Sequence, residues 1–234
     1  MVLVKDCITV AAAMIVAYLL GSVSFSIIVT KWISKHTDIR SMGSGNAGFT
    51  NVLRSVGKLA GILTFIGDFL KGILAIWIAK MLFSSPYFLG IESFVVLQIG
   101  AYLAGLCCLI GHIYPCFFGF KGGKGVLTAS AIVLMIDWRV FLLVISVFLI
   151  VFLVSKIVSL ASISAVASYP IATFCITFFL DYLSHQGEAG ALPIGFVLFS
   201  TGISLLIGAM IIFMHRSNIK RLRAGTEKKL VLKK

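Results

Sequence analysis

The chain has 234 residues, 60% of them hydrophobic and only 12% charged, with a mean hydropathy of +1.10, whereas a soluble domain carries about twice that charged share. A water-soluble globular fold is thereby excluded, and a polytopic membrane protein is expected. The formal net charge of +12 bears on membrane orientation and anionic partners; no basic-aromatic groove or zinc-ligand spacing accompanies it, so no nucleic-acid partner is expected.

A helix needs about 20 residues to cross the ~30 Å hydrocarbon layer. On that ruler the spans are expected at roughly 7–30, 60–82, 91–114, 125–136, 139–156, 157–180 and 193–214. The first run is too long for the core of a cleaved signal peptide and has no A-x-A site after it, so it is expected as a span. The fourth has twelve residues and covers only about 18 Å. A re-entrant segment, with six spans in all, is therefore the alternative.

Charge decides between the two. Seven spans with the N-terminus outside collect sixteen Lys and Arg on the cytoplasmic side against Lys5, Lys80 and Arg139 outside, with Lys71 inside the membrane. That bias obeys the positive-inside rule, whereas a re-entrant fourth segment would place the basic tail outside. The expected fold is all-α: one integral-membrane domain over 1–234, a bundle of seven transmembrane helices, N-terminus outside and C-terminus cytoplasmic. Outer loops are expected at 83–90 and 181–192, with Glu92 and Glu188 outside. Three motif loops, 36–57, 115–125 and 215–227, then share the cytoplasmic face.

The first motif, residues 43–54, reads GSGNAGFTNVLR. It gathers Gly43, Gly45 and Gly48, the amides of Asn46 and Asn51, the hydroxyls of Ser44 and Thr50, and the guanidinium of Arg54. Glycines allow positive φ and inward-turned N–H groups, amides and hydroxyls add neutral donors, and arginine grips phosphate through two parallel bonds. Such a composition suits an anion. The plain alternative is a flexible loop between two helices.

The second, residues 111–125, reads GHIYPCFFGFKGGKG. Lys121 and Lys124 flank Gly122 and Gly123 just before a helix, whose N-terminal N–H groups carry partial positive charge, so a phosphate cradle is expected. It is not a Walker loop, because Gly125 rather than Ser or Thr follows Lys124. The third, residues 215–227, reads HRSNIKRLRAGTE. On a continuing helix His215, Asn218 and Leu222 share a face, with Arg216, Arg221 and Arg223 around it. Anchoring on anionic headgroups would account for the arginines, but not for the neutral His215 and Asn218.

Within the second span Asp68 and Lys71 are three apart and so lie on one face. Burying either charge costs about 2.5–3.5 kcal/mol, so they are expected to pair, either as a structural ion pair or lining a site where the lysine meets an anion. His112 is expected to brace the second loop. The five cysteines lie in or beside apolar runs without ligand spacing, which points to small core residues and no metal site. There is no G-x-S-x-G elbow, and no histidine has an acid five residues on, so neither a serine nucleophile nor an H-x-x-x-x-D dyad is expected.

In this order and spacing, GSGNAGFTNVLR, GDFLKG, GHIYPCFFGFKGGKG and HRSNIKRLRAGTE resemble the bacterial membrane acyl-phosphate:glycerol-3-phosphate acyltransferases, the PlsY family, from about residue 21 to residue 227. One departure is Phe49, where the family carries a small residue. The resemblance implies transfer of a fatty acyl group from acyl phosphate to the 1-hydroxyl of glycerol 3-phosphate, giving lysophosphatidic acid and phosphate, the first step of phospholipid synthesis. It implies Ser44 and Asn46 at the acyl-phosphate headgroup, Arg54, Lys124 and Lys121 at glycerol 3-phosphate, and His215 and Asn218 orienting the attacking hydroxyl. Gly43, Gly45, Gly48, Thr50, Asn51, Lys71, Gly122, Gly123 and Arg221 are expected as further substrate-binding residues. No cofactor is implied, membrane lipids surround the protein, and the expected location is the bacterial inner membrane with the site facing the cytoplasm. The rival from another class is a transporter for an anionic or phosphorylated solute. A transporter binds near the midplane between related repeats, whereas these motifs gather at one face. A non-catalytic lipid-binding scaffold would leave the paired loops unexplained.

Overall fold

A computed structural model describes residues 2–84, 94–187 and 191–230, with side chains from Cys7 onward, and among them there is helix and turn but no strand. Residues 85–90 of the expected first outer loop, residues 91–93 at the start of the expected third span with Glu92 among them, Glu188, Lys233 and Lys234 lie outside the described residues. The chain divides between Ile136 and Asp137 into two compact units.

The first unit holds α1 (Val2–Ser22), α2 (Phe25–Ile33), α3 (Phe49–Ser55), α4 (Lys58–Phe83), α5 (Phe94–Ile113) and α6 (Val126–Ile136). Burial of apolar side chains does little to pair helices inside lipid, so small residues that let backbones approach set the contacts. A Cβ on Gly21 of α1 would strike the Cys108 carbonyl of α5, and one on Gly111 of α5 would strike the Tyr18 carbonyl of α1. Gly72 lets α4 approach α6 in the same way, where an added Cβ would meet the Thr128 carbonyl oxygen at 3.0 Å.

The first expected span is interrupted at residues 23–24, between α1 and α2. Inside a membrane the backbone groups freed by such a break need internal partners, and α4 provides them. Lys71 donates to the Gly21 carbonyl at 3.0 Å and the Val23 carbonyl at 2.8 Å, and the Asp68 carboxylate faces the Phe25 N–H.

The second unit holds α7 (Trp138–Ser155), α8 (Val158–Cys175), α9 (Ile194–Met214) and α10 (Arg216–Arg223), with a wide helical turn at Ile176–Tyr182. Asp137 caps α7 by accepting the Arg139 N–H at 2.8 Å, and the Arg139 guanidinium bridges Asp137 and Asp181. Lys156 ends α7 in the left-handed region at φ 59°.

Among the described residues six stretches are long and apolar enough to cross a membrane: Cys7–Ile33, Lys58–Phe83, Phe94–Phe118, Trp138–Ser155, Val158–His185 and Ile194–Met214. Their positions match six of the expected spans. The remaining one, α6, has 11 residues and rises only about 16 Å.

Candidate active site

The first motif loop is built from the inside. Ile39, Ala47 and Val52 are fully buried with Ile27, Val29 and Ala60, which pins the loop to the ends of α2 and α4. Above this patch Asn51, 5% exposed, acts as an internal staple. Its amide nitrogen faces the carbonyls of Ile39, Met42 and Asn46 at 3.0–3.2 Å, and its oxygen accepts from the Ser44 N–H at 2.9 Å and the Ser55 hydroxyl at 3.3 Å. Gly43 stands at φ 54°, and a Cβ there would also collide with Asn51 and Ser55.

Asn51 therefore shapes the loop instead of presenting its amide to substrate as expected. The N–H groups of Gly45 and Gly48 go to the Met42 and Asn46 carbonyls. What the loop turns outward is side chain: Ser44 and Arg54 are exposed, and Asn46 and Thr50 half-buried. Phe49 does not disturb this arrangement, because its ring leaves the loop and lies edge-on to Phe65 of α4 at 5.6 Å.

The second loop doubles back on the end of α5. Gly122 donates its N–H to the Ile113 carbonyl at 3.0 Å, and Gly123 to the His112 carbonyl at 3.2 Å. The expected cradle of bare glycine N–H groups is thus corrected: at Gly122 and Gly123 those donors are engaged within the protein. Gly123 is needed for space instead, since a Cβ there would strike both the Ala47 carbonyl of the first loop and the His112 ring. At this point the two loops abut backbone to backbone. Lys124 is half-buried and Lys121 exposed.

An open basin of about 780 Å³ lies beside this junction, lined by Gly45 from one loop, Lys121 and Gly122 from the other, Phe117, Phe118 and Gly119, and the cations of Lys31 and Arg40. Asp38, which caps the turn Ile39–Ser41, faces Arg40. The Arg40 guanidinium beside it holds its carboxyl below the ordinary carboxylate value, and Arg40 is correspondingly raised.

Beneath the second loop sits a buried polar group. The Lys71 ammonium, 3% exposed, stands 2.9 Å from Asp68 Oδ1 and donates to the Gly21 and Val23 carbonyls at the break after α1. These contacts give Lys71 a structural part beside the substrate contact expected of it. His112 Nδ1 lies 3.2 Å from the Thr128 hydroxyl, which donates to the Asp68 carbonyl. His112 thus does brace the second loop, from below.

In the second unit the helix breaks at His215, between α9 and α10, instead of running on. His215 Nδ1 lies 2.8 Å from the Ile211 carbonyl. A carbonyl can only accept, so the neutral ring carries its proton on Nδ1 and presents Nε2 as an acceptor. Asn218, 5% exposed, donates to Glu227 Oε1 at 2.7 Å, Arg221 Nε to Glu227 Oε2 at 2.6 Å, and Ser159 of α8 to Oε1 at 2.8 Å. Burial pushes the Glu227 carboxyl up, but these three donors outweigh it and hold the group below its ordinary value. Arg221 is thereby tied to Glu227, a use the substrate-binding expectation did not include.

Sequence reasoning passed over Arg40, Asp38, Glu227 and Ser159. Glu227 carried a usable signal, as an acid in an otherwise basic tail invites a cationic partner. Ser159 carried none.

Comparison with known proteins agrees with the resemblance drawn from the motifs. The family model described as glycerol-3-phosphate acyltransferase matches residues 11–225. A glycerol-3-phosphate acyltransferase of Clostridioides difficile is 39% identical over 220 residues, covering 94% of this chain and 95% of that one. A crystal structure of PlsY (YgiH), an integral membrane glycerol 3-phosphate acyltransferase, in its glycerol 3-phosphate form aligns with a TM-score of 0.72 at 41% identity, covering 95% of this chain and 96% of that one. Its lysophosphatidic acid form aligns at 0.70 with the same identity, covering 95% of each chain.

Proposed function

The chain belongs to the glycerol-3-phosphate acyltransferase family, and from that premise we propose that its acyl donor is an acyl phosphate and its acceptor the 1-hydroxyl of glycerol 3-phosphate. The hydroxyl oxygen attacks the acyl carbon, the bond from that carbon to the phosphate oxygen breaks, and phosphate leaves with the electron pair. Lysophosphatidic acid and inorganic phosphate are the products. An acyl phosphate is a mixed anhydride, already activated, so the protein need supply only position and electrostatics. The transporter reading is not favoured, since the relatives carry the name of an enzyme.

The observation that carries this reading is the abutment of the two basic loops at Ala47 and Gly123. It gives Ser44, Asn46, Arg54, Lys121 and Lys124 a common frame, and both substrates are anions. Because the N–H groups of Gly45, Gly48, Gly122 and Gly123 already have partners, the phosphates are assigned to side chains. Arg54 and Lys124, with Lys121, hold glycerol 3-phosphate and offset charge on the tetrahedral intermediate. Ser44 and Asn46 take the acyl-phosphate headgroup. By the resemblance of the third motif, His215 and Asn218 are assigned to orient the attacking hydroxyl, whose proton goes to His215 or to the leaving phosphate. The protein lies in a bacterial inner membrane with seven spans, N-terminus outside and motif loops facing the cytoplasm, a reading supported by the distribution of lysine and arginine.

The purified protein in detergent, given labelled glycerol 3-phosphate with acyl phosphate, acyl-coenzyme A or acyl carrier protein as donor, is expected to make lysophosphatidic acid with acyl phosphate alone. Product formed from a thioester donor but not from acyl phosphate would reject the proposed donor.

A further inference from the structure

Arg40 lies in the first loop but before its GSGNAGFTNVLR motif, and its side chain ties that loop to the second. Its Nε and Nη2 grip Asp38 through both carboxylate oxygens at 3.0 and 2.8 Å. With Asp38 fixing the plane of the guanidinium, Nη1 points away and donates to two carbonyls of the second loop, Phe118 at 2.7 Å and Lys121 at 3.2 Å. Four of its five N–H groups are thereby engaged.

Those two carbonyls bracket a turn that needs help. Gly119 and Phe120 both stand in the left-handed region, at φ 67° and 57°, a conformation that a phenylalanine adopts only under constraint. The turn delivers the chain into Lys121 and, three residues later, Lys124. On the other side, Arg40 sits three residues before Gly43. One guanidinium thus joins the entrances of both loops, and the Ala47–Gly123 contact joins them further in. With two junctions the loops move as one body, whereas with one they could pivot.

We propose that Arg40, oriented by Asp38, is a positioning residue of the acyl transfer: a latch that sets the spacing between the side chains of the first loop and Lys124 of the second. The proposal rests on the reading of these loops as holders of the two phosphorylated substrates. Lysine cannot replace the arginine here, because an ammonium is a point charge and cannot both grip a carboxylate bidentately and reach two carbonyls in a fixed plane.

The test is steady-state kinetics on purified full-length R40A, R40K and D38N, with R54A and K124A measured alongside. Loosening the latch misplaces holding groups in otherwise folded enzyme, so R40A and R40K are expected to raise KM for glycerol 3-phosphate by about tenfold, with kcat within about threefold. D38N is expected to raise KM by a smaller factor, because the guanidinium loses its orientation but not its carbonyl acceptors. A merely structural role would lower kcat through loss of active protein and leave KM alone, and that pattern would overturn the latch. So would parent-like KM in the Arg40 variants while R54A and K124A raise theirs. Parent-like KM in R54A and K124A themselves would instead bring down the phosphate reading, and the latch with it. If R40A cannot be isolated folded, R40K and D38N carry the same comparison.

Discussion

Lys71 and Asp68, one turn apart on α4 and 2.9 Å from each other, serve the two ends of the same break in the neighbouring helix. The ammonium takes the Gly21 and Val23 carbonyls at the end of α1, where the helix dipole is negative, and the carboxylate faces the N–H that begins α2, where it is positive. The pair therefore satisfies backbone groups that lipid cannot. Replacing Lys71 by methionine leaves a buried carboxylate and two carbonyls without their cation, a loss of about 3–5 kcal/mol by analogy with other broken buried pairs. Thermal unfolding in detergent is expected to show K71M strongly destabilised, with an unchanged KM for glycerol 3-phosphate in whatever fraction folds. A stable K71M with raised KM would return Lys71 to the substrate.

Asn51 offers a sharper test of how the first loop is held, because its two amide ends face opposite chemistry. N51A removes the staple. N51D keeps the oxygen that accepts from Ser44 but turns a second oxygen toward the Ile39, Met42 and Asn46 carbonyls, so it is expected to be at least as damaging. Since an unsatisfied buried polar group costs about 1–3 kcal/mol and several are exposed at once, kcat/KM should fall by more than about a hundredfold in both. The order of the two variants is the decisive readout. An aspartate variant better than the alanine one would mean that the amide nitrogen does not set the loop.

The same residues show what was legible in the sequence. Span positions follow from apolar run length, and the Asp68–Lys71 pair from helical spacing. What spacing could not show is that α1 would break opposite Lys71, so that the ammonium finds two carbonyls and the lysine takes a structural part. Glycine content suggested N–H groups waiting for phosphate, yet at Gly122 and Gly123 the chain folds back on α5 and engages them. Composition reports which donors exist, and only the path of the backbone decides which of them are already in use. Glu227 makes the converse point: a residue at the end of a motif proved to be the hub joining Asn218, Arg221 and Ser159, the last of them 68 positions away.

Arg54 and Lys124 are the cations that the proposed mechanism leans on most. Exchanging either for alanine removes a charge-assisted phosphate contact of about 1.5–3 kcal/mol, and KM for glycerol 3-phosphate is expected to rise more than about tenfold, without a matching fall in thermal stability. The acyl-phosphate KM, measured in the same variants, shows which substrate each cation serves. Parent-like kinetics in both would contradict their assignment.

Acid should weaken the second unit through Glu227. Its folded-state pKa lies below the ordinary value of 4.5 because Arg221, Ser159 and Asn218 together overcome burial. A carboxyl depressed by folding lends stability that is complete above its unfolded pKa and disappears as pH drops through its folded one. Unfolding temperatures are therefore expected to hold level through neutral pH and decline below about pH 4.5. E227Q should be less stable than the parent near pH 7 and show a shallower acid decline, since glutamine has no charge to lose. Parallel profiles for parent and variant would mean that Glu227 is not the group whose protonation loosens the tie between α10 and Ser159.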